Sequence, residues 1–356
     1  MTTYLLAGGG TAGHVNPLLA VADGLRARDD RTEILVLGTR EGLESRLVPE
    51  RGYELLTVDK VPFPRRPDGA ALRFPGRFRR AIAQVRAHLR DRGVDVVVGF
   101  GGYAAAPAYI AARREKVPFV VHEANARPGL ANILGARWAA ASGVAFAGTP
   151  LRGAQVVGMP LRRELVDLDT AARRPEAAAA FGLDAARPVL LVFGGSLGAR
   201  RINEALAGSW PDIVAAGWQV LHAVGGGNEL PASAEGYVAV PYLDRMDLAF
   251  ALADAIVARA GSATVSEVSA LGIPAFYVPY AVGNGEQELN ARSAVAAGAA
   301  RLIPDAEFTA ERVRTQLVPA LSDGDALAAM RAGAATVGSR TGTEDVIALI
   351  DASRTR

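Results

Sequence analysis

The chain has 356 residues, of which 50% are hydrophobic and 21% are charged, and its formal net charge is +2. This composition is typical of a folded protein with a large core, and a net charge so near zero argues against nucleic-acid binding. The absence of cysteine excludes disulfides, thiolate catalysis and cysteine-ligated metals, and fits a cytoplasmic location. Two domains are expected at this length.

Short apolar runs alternate with helix-like segments in the first part of the chain. Strands are predicted at residues 4–7, 34–37, 94–98 and 119–122, and helices at residues 17–28, 41–48 and 104–114. Such alternation predicts a parallel sheet covered by helices. The uncharged stretch at residues 1–22 is interrupted by glycines, Asn16 and Pro17 and has no basic start, so neither a signal peptide nor a membrane-spanning helix is predicted.

A glycine-rich loop at residues 8–13, with the sequence GGGTAG, follows the first predicted strand. The spacing fits G-x-G-x-x-G, a turn that presents backbone amides to phosphate at a helix N-terminus, although glycine can also serve such a turn for conformation alone. An NAD site needs an acid after the second strand, where this chain has Thr39 and Arg40. NAD is therefore disfavoured, and Arg40 leaves an NADP-dependent reductase as an alternative. His14 in place of lysine excludes a P-loop ATPase.

A basic, aromatic segment at residues 61–82 lies between the second and third predicted strands, with Asp68 as its only acid. Such a segment suits an anionic lipid surface; a plain basic loop is the alternative, and nucleic-acid binding is disfavoured for want of stacking motifs. The residues expected at the membrane are Phe63, Arg65, Arg66, Arg73, Phe74, Arg77, Phe78, Arg79 and Arg80.

A linker at residues 158–163 and a lead-in helix at residues 164–180 precede a second β/α series. In this series, strands are predicted at residues 189–193, 220–223, 255–258 and 275–278, and helices at residues 199–207 and 265–271. The sequence therefore predicts an α/β fold with two Rossmann-like halves, residues 1–162 and 163–340. The last helix, residues 341–356, is expected to pack back on the first domain.

The second series repeats the phosphate-friendly turns of the first. Residues 193–200, FGGSLGAR, form another glycine loop between strand and helix, which is expected to face the same cleft as the first. Residues 260–267, AGSATVSE, start a helix with small and hydroxyl side chains at its tip and Glu267 one turn later. That carboxylate could accept hydrogen bonds from both hydroxyls of a ribose, or be a solvated helix residue.

Taken in order, these motifs resemble the MurG family of UDP-N-acetylglucosamine:undecaprenyl-diphospho-muramoylpentapeptide N-acetylglucosaminyltransferases. The resemblance spans almost the whole chain. It rests on residues 8–17, 99–103 (GFGGY), 122–125 (HEAN), 158–162 (GMPLR), 194–200, 259–267 and 286–291 (EQELNA). Three positions depart from the family pattern: Met159 replaces the commoner Asn, Ala124 stands where Gln is frequent, and Glu286 replaces the first of two Gln, which leaves donor selectivity open.

The resemblance implies a GT-B fold, with two Rossmann-like domains facing a central cleft. It implies inverting transfer of N-acetylglucosamine from UDP-GlcNAc to the 4-hydroxyl of MurNAc in the undecaprenyl-linked acceptor, lipid I, to form lipid II of peptidoglycan. The first domain would then bind acceptor and membrane, at the cytoplasmic face of the cell membrane, and the second UDP-GlcNAc. Alternatives are another GT-B transferase with a different acceptor and a non-catalytic UDP-sugar-binding protein.

The resemblance also assigns substrate-binding roles to individual positions. Those on the first domain would contact the donor, and those on the second would hold the diphosphate, uracil, ribose and sugar. The expected substrate-binding residues are Thr11, Ala12, Gly13, Asn125, Arg162, Ser196, Leu243, Met246, Ser262, Ala263, Thr264, Glu267 and Gln287.

His14 is the expected catalytic base, since imidazole is half neutral near pH 6.5 and this residue directly follows the glycine loop. Alternatively, His14 only orients a substrate; His122, Glu123 and Glu267 are less well placed. Helix N-termini and amides could stabilise the departing UDP, so no metal or other cofactor is expected. Two D-x-D patterns, at residues 167–169 and 323–325, are interpreted as solvated acids rather than metal ligands.

Overall fold

The computed structural model describes residues 1–64, 69–195, 198–280 and 285–354, apart from the side chains of Ala12 and Ala70. Three residues with predicted roles, Arg65, Arg66 and Ser196, lie outside the described residues. The chain divides into two compact units. The first contains residues 1–162 and the segment that begins at Arg340, and the second contains residues 163–339.

The strands in chain order are β1 (Thr3–Ala7), β2 (Glu33–Gly38), β3 (Glu54–Thr57), β4 (Val96–Gly99), β5 (Phe119–Glu123), β6 (Ala141–Val144), β7 (Ala154–Val156), β8 (Val189–Phe193), β9 (Gln219–Ala223), β10 (Tyr237–Val240), β11 (Ala255–Ala258), β12 (Ala275–Tyr277) and β13 (Ala300–Leu302). They form two sheets in which every paired strand is parallel. Their orders are β3-β2-β1-β4-β5-β6-β7 in the first unit and β10-β9-β8-β11-β12-β13 in the second. The predicted α/β fold class is confirmed.

The helices in chain order are α1 (Ala12–Arg28), α2 (Glu44–Glu50), α3 (Gly69–Asp91), α4 (Ala105–Glu115), α5 (Leu130–Gly135), α6 (Arg163–Val166), α7 (Thr170–Phe181), α8 (Arg200–Ala207), α9 (Trp210–Ala215), α10 (Met246–Leu252), α11 (Ser262–Ala270), α12 (Glu286–Ala296), α13 (Ala310–Arg312), α14 (Val318–Ser322), α15 (Gly324–Val337) and α16 (Gly342–Arg354). A 3-10 turn covers Asp305–Glu307, and a π-helical turn, Val313–Leu317, joins α13 to α14.

Both faces of the first sheet are buried, which explains why its central strands are continuous apolar runs. On β1, Leu5 packs into the cluster that contains Val85 of α3 and Tyr109 of α4. The next residue, Leu6, faces the opposite cluster, which includes Leu25 of α1 and Ile350 of α16. Each fully buried leucine contributes about 1.5–3 kcal/mol by removal of apolar surface from water. The last helix is therefore part of the first unit's core.

In each sheet there is one strand from which successive strands are added first on one side and then on the other. In the first unit β1 lies between β2 and β4, and in the second β8 lies between β9 and β11. Loops that leave neighbouring strands at such a point open a crevice at the carboxyl edge of the sheet, where ligands of α/β proteins bind. The glycine loops after β1 and β8 both occupy this position.

The bounds of several helices differ from those expected; α2 and α11, for example, cover residues 44–50 and 262–270 instead of 41–48 and 265–271. The first helix begins at Ala12 rather than at residue 17, and Pro17 lies inside it, so the helix starts directly at the glycine loop. The lead-in helix expected at residues 164–180 is two helices, α6 and α7, because the Asp169 carboxylate caps α7 by accepting from Ala172 N at 3.0 Å. Within the described residues, no helix has the length and apolar character needed to cross a bilayer.

Candidate active site

The first glycine loop connects β1 to α1 and is anchored at its start by Gly8 N, which donates to Leu37 O at 3.1 Å. Thr11 occupies the N-cap position, and its side chain makes no capping hydrogen bond within the described part of the chain. The amides of the first turn therefore lie at the positive end of a 17-residue helix with no side-chain cap, which suits a negatively charged ligand. Ala12 and Gly13, both predicted to bind substrate, open this turn.

A buried carboxylate, Glu44 of α2, lies beneath the loop. Its oxygens accept from Gly10 N, Thr39 N and the Thr39 hydroxyl, each at 2.8 Å, and its side chain has no solvent exposure. A Cβ atom on Gly9 would overlap this carboxylate, which explains the glycine there. The role of Glu44 could not be predicted from the sequence, because no local pattern connects it to a loop 34 residues earlier.

His14 lies in the first turn of α1 with its Nδ1 atom 3.2 Å from Gly9 O and 3.2 Å from Thr11 Oγ1. Because a carbonyl can only accept, Nδ1 carries the proton in the neutral ring and Nε2 keeps a free lone pair. Burial lowers the pKa of His14 below its ordinary 6.5, against the opposing effects of Glu123, the Gly9 hydrogen bond and Glu44. His14 is therefore neutral at neutral pH and able to accept a proton at Nε2.

The loop after β4 packs against this imidazole. Gly102, with φ +78°, lies so close to Gly9 that a Cβ atom would overlap the Gly9 backbone, and a Cβ atom on Gly101 would lie 3.1 Å from His14 Nε2. Gly101 and Gly102 thus form a wall without side chains beside the proton-accepting atom.

Beyond this wall lies a buried polar network after β5. Glu123 accepts from Asn125 N at 2.9 Å, from Gly129 N at 2.9 Å and from Asn132 Nδ2 at 2.9 Å, and Asn132 Oδ1 accepts from the Tyr109 hydroxyl at 2.7 Å. The network fixes Asn125, a predicted donor contact, on a partly exposed loop. Nothing in the local sequence predicts Asn132, which lies nine residues after the last residue of β5.

His122 has a structural environment rather than that of a base. It is fully buried on β5, its Nε2 atom donates to Gly158 O at 3.0 Å, and its ring lies 5.6 Å from that of Phe100. Burial lowers its pKa below 6.5. An imidazole with no solvent exposure has no room for an acceptor hydroxyl, so His14 is the better candidate.

Arg162 is the last residue of the first unit before the chain enters the second unit. Met159 and Leu161 are buried, and Leu161 O accepts from the Thr343 hydroxyl at 3.4 Å, which ties the segment to α16. Arg162 itself is partly buried. Met159, one of the departures from the family pattern, therefore lies in the packing of this unit.

In the second unit, the glycine loop after β8 leads into α8. Gly195 and Gly198 both have positive φ, +97° and +76°, and a Cβ atom on Gly198 would overlap the carbonyl oxygen of Val224, just after β9. Val224 O accepts from Asn203 Nδ2 of α8 at 2.9 Å, and His222 connects Asn203 to Tyr237. His222 was not predicted to have a role, because it is a single histidine inside an apolar strand.

The third predicted motif forms the start of α11, after β11. Ser262 and Glu267 are buried, and Ala263 and Thr264 are partly exposed. The turn before the helix is fixed by Asn290 Nδ2, which donates to Ala260 O at 3.3 Å. As β11 neighbours β8 in the sheet, α11 begins at the same edge as the second glycine loop.

Arg259 anchors the end of β11. Its Nη1 atom donates to Asp305 at 2.5 Å and to Val278 O at 2.9 Å. The side chain is 11% exposed, so the charge-assisted hydrogen bond holds the strand end from within the unit.

Three more predicted contacts lie on neighbouring segments of the second unit. Leu243 is buried and Met246 starts α10, which follows β10. The side-chain oxygen of Gln287 accepts from Tyr280 N at 2.9 Å, so its amide nitrogen is the atom that can donate to a sugar hydroxyl. These residues come after β10 and β12, at the carboxyl edge of the second sheet.

The basic, aromatic segment is described in part. The rings of Phe63, Phe74 and Phe78 lie 5.3–6.1 Å apart and pack against the first unit's core. Outside this half-buried cluster, α3 exposes four predicted arginines and Leu72, which is 85% exposed. The arginines are Arg73, Arg77, Arg79 and Arg80.

The D-x-D patterns are exposed, as expected, and they serve as helix caps. Asp169 caps α7, and Asp323 caps α15 by accepting from Ala326 N at 3.0 Å. Asp167 pairs with Arg163 at 3.0 Å. Each pattern therefore has a structural role at a helix N-terminus.

Comparison with known proteins identifies the family. The chain matches the glycosyltransferase family 28 N-terminal domain over residues 4–144 and the C-terminal domain of that family over residues 189–346. It is 61% identical, over 98% of its length and 96% of the relative's, to the UDP-N-acetylglucosamine--N-acetylmuramyl-(pentapeptide) pyrophosphoryl-undecaprenol N-acetylglucosamine transferase of Clavibacter michiganensis. A relative of the same name in Streptomyces avermitilis is 51% identical, with 97% of each chain covered.

Among solved structures, MurG of Acinetobacter baumannii matches with a TM-score of 0.80 and 27% identity, and the match covers 99% of each chain. The likeness extends through both units, so the expected GT-B fold class is confirmed. The chain is a glycosyltransferase and belongs to the MurG family within glycosyltransferase family 28.

Proposed function

We propose that this enzyme transfers N-acetylglucosamine from UDP-GlcNAc to the 4-hydroxyl of MurNAc in undecaprenyl-diphospho-muramoylpentapeptide, converting lipid I to lipid II with inversion. The observation that carries the proposal is the 61% identity, over 98% of the chain, to a relative with that named activity. Site geometry in both units supports it, since one supplies a base and the other a nucleotide-binding edge.

In the first unit, His14 is the base. The acceptor hydroxyl gives its proton to His14 Nε2 as its oxygen bonds to the anomeric carbon, while the bond from that carbon to the UDP oxygen breaks. Two features support this role: Nδ1 is committed to Gly9 O, and the lowered pKa leaves the ring neutral at neutral pH. Thr11, Gly13 and Asn125 adjoin this site, and Arg162 is assigned to the donor by family resemblance.

In the second unit, the start of α11 and the glycine loop after β8 hold the diphosphate. Negative charge grows on UDP as the bond breaks, and amides and helix N-termini already oriented toward it stabilise that charge without reorganisation. Glu267 is assigned to the ribose hydroxyls, Leu243 and Met246 to the uracil, and Gln287 to a sugar hydroxyl. We propose that the transfer proceeds without a metal or other cofactor.

The first unit also associates with the cytoplasmic face of the membrane through α3. Its exposed arginines and Leu72 are supported from behind by the packed phenylalanine rings, an arrangement that fits an anionic lipid surface at about 1 kcal/mol per arginine. The test is co-sedimentation with anionic vesicles after all six arginines of the segment are changed to Gln. A control variant changes six exposed arginines elsewhere, Arg31, Arg46, Arg90, Arg163, Arg245 and Arg314. Equal binding by both variants would contradict membrane association through this segment.

The decisive experiment measures UDP release from UDP-GlcNAc with and without a lipid I analogue. We expect release that depends on the analogue and a product that carries one added N-acetylglucosamine. If folded protein binds UDP but releases none with this acceptor, a different acceptor is indicated. If it binds NADPH instead of UDP, the reductase alternative gains and this proposal fails.

A further inference from the structure

A chain of buried and partly buried hydrogen bonds connects β10, β9 and α8 and ends beside Gly198 of the second glycine loop. The Tyr237 hydroxyl lies 2.9 Å from His222 Nδ1, His222 Nε2 lies 3.1 Å from Asn203 Oδ1, and Asn203 Nδ2 lies 2.9 Å from Val224 O. Tyr237 and His222 are 0% and 1% exposed. Tyr237, His222 and Asn203 together form the relay.

The direction of every hydrogen bond in the relay follows from its last acceptor. Val224 O can only accept, so the nitrogen of the Asn203 amide must face it and the amide oxygen must face His222. His222 Nε2 therefore carries the proton, and Nδ1 accepts from the Tyr237 hydroxyl. All three donors point toward the glycine loop, and the imidazole must be neutral for the chain to be complete. Burial favours this form, because it lowers the pKa of His222 to about 4.

The far end of the relay is a contact with the loop itself. The backbone of Gly198 packs on the Val224 carbonyl so closely that even a Cβ atom could not be accommodated. The same carbonyl also accepts from Asn228 Nδ2 at 3.0 Å. A shift of Val224 O would therefore be transmitted directly to the residue that closes the glycine loop before α8.

We propose that His222 is a positioning residue for the diphosphate leaving group: through Asn203 and Val224 O it fixes Gly198 and the start of α8, where the nucleotide's phosphates bind. This inference rests on the proposed function, in which the loop after β8 contacts UDP. A fully satisfied buried network of this kind specifies one arrangement of the groups it joins. Apolar side chains of the same size would fill the space without defining where the carbonyl lies.

The test separates phosphate recognition from general stability. His222→Leu removes both hydrogen bonds and keeps most of the volume, while His222→Gln keeps one donor and one acceptor. Affinities for UDP and for uridine are measured by competition, along with KM for UDP-GlcNAc. For His222→Leu we expect UDP to bind at least ten times more weakly and uridine to change less than twofold. His222→Gln should recover most of the difference.

The matched control is Gln219→Leu, at the opposite end of the same strand. Gln219 is buried and makes two hydrogen bonds, both 2.8 Å long, with the backbone of Asp184, so its loss weakens β9 without contact with the relay. We expect an unchanged ratio of UDP to uridine affinity. The proposal is overturned if Gln219→Leu changes that ratio as much as His222→Leu does, or if His222→Leu weakens both ligands equally.

A second variant keeps the proposal testable if His222→Leu does not fold. Asn203→Asp preserves the acceptor for His222 Nε2 but places a carboxylate oxygen against Val224 O, so the loop must move. UDP affinity should then fall at least tenfold relative to uridine, and an unchanged ratio overturns the proposal. Failure of the proposed function gives a different result: with a wrong acceptor the wild-type protein still binds UDP more tightly than uridine, and with no nucleotide-sugar chemistry it binds UDP no better than uridine.

Discussion

The glycine loops after β1 and β8 occupy equivalent positions in their sheets but rest on different side chains. Beneath the first lies a carboxylate, Glu44, which accepts directly from Gly10 N. Beneath the second lies the neutral relay, which reaches Gly198 through a backbone carbonyl. The shared sheet topology therefore determines where the two loops lie, whereas the side chains that hold each loop in place differ.

The difference suits the charge that we propose each loop meets. A negative charge near His14 raises the pKa of the imidazole and so makes it a better proton acceptor, against the opposite effect of burial. The same charge under the second loop would repel the diphosphate as its negative charge grows. A neutral support avoids that repulsion, because oriented dipoles act without net charge.

The largest expected effect concerns chemistry in the first unit. His14→Ala should lower kcat by about 10²–10⁴-fold, the usual contribution of a general base, while UDP binding changes less than twofold because the nucleotide is held by the second unit. Steady-state UDP release and calorimetric titration with UDP measure the two quantities. A near-normal kcat would mean that His14 only orients a substrate. A parallel loss of UDP affinity would contradict the proposal that the first loop serves the base and the second loop the nucleotide.

A second effect concerns acid stability of the second unit. The unfolded chain protonates His222 near pH 6.5, but the folded chain does so only near pH 4. Its contribution is therefore fully present above pH 6.5 and is lost as the pH falls toward 4, by about 3 kcal/mol in total. Urea unfolding followed by Trp210 and Trp218 fluorescence in a Trp138→Phe background reports this unit. His222→Leu should remove that part of the pH dependence, and an unchanged slope would contradict the buried neutral imidazole.

A third effect concerns the carboxylate under the first loop. Glu44→Gln keeps the shape of the side chain, but its NH2 group must face one of the groups that donate to the Glu44 carboxylate. The lost hydrogen bond should lower the free energy of unfolding by about 1–3 kcal/mol. It also removes a charge that raises the His14 pKa, so the acidic limb of kcat/KM should move to lower pH. Trp138 fluorescence and a pH profile measure these changes. A limb that stays in place would show that Glu44 acts on the loop alone.

Strand positions followed closely from the sequence where burial on both faces made a run continuously apolar. Residues 189–193 and 255–258 were predicted with the bounds that the structure has for β8 and β11. The edge strand β7, whose residues are partly or fully exposed, was missed, as were the other edge strands β3, β10 and β13. The internal strand β6 was missed because its sequence, ASGV, is not an apolar run. Local apolarity identifies central strands and says little about edges.

For the candidate site, local motifs predicted the loops that we propose face a ligand, and long-range contacts determined which side chains lie behind them. The loop and His14 are contiguous, so their spacing could be recognised. Glu44 meets Gly10 from 34 positions away, and His222 meets Asn203 from 19 positions away. Such pairs become neighbours only when parallel strands bring their carboxyl ends to one edge, and no local pattern encodes that meeting.

The smallest expected effect compares the two loops at glycines with no close neighbour. Gly10 and Gly195 have φ of +90° and +97°, and a Cβ atom at either would meet no described atom within 4 Å. Alanine should therefore cost each unit only the strain of a left-handed backbone, about 1–2 kcal/mol, measured by urea unfolding with each unit's own tryptophans. Gly198→Ala is the contrast, because its Cβ atom also overlaps Val224 O and its cost should be clearly larger. If Gly195→Ala cost as much as Gly198→Ala, the contact with Val224 would not be what fixes the second loop.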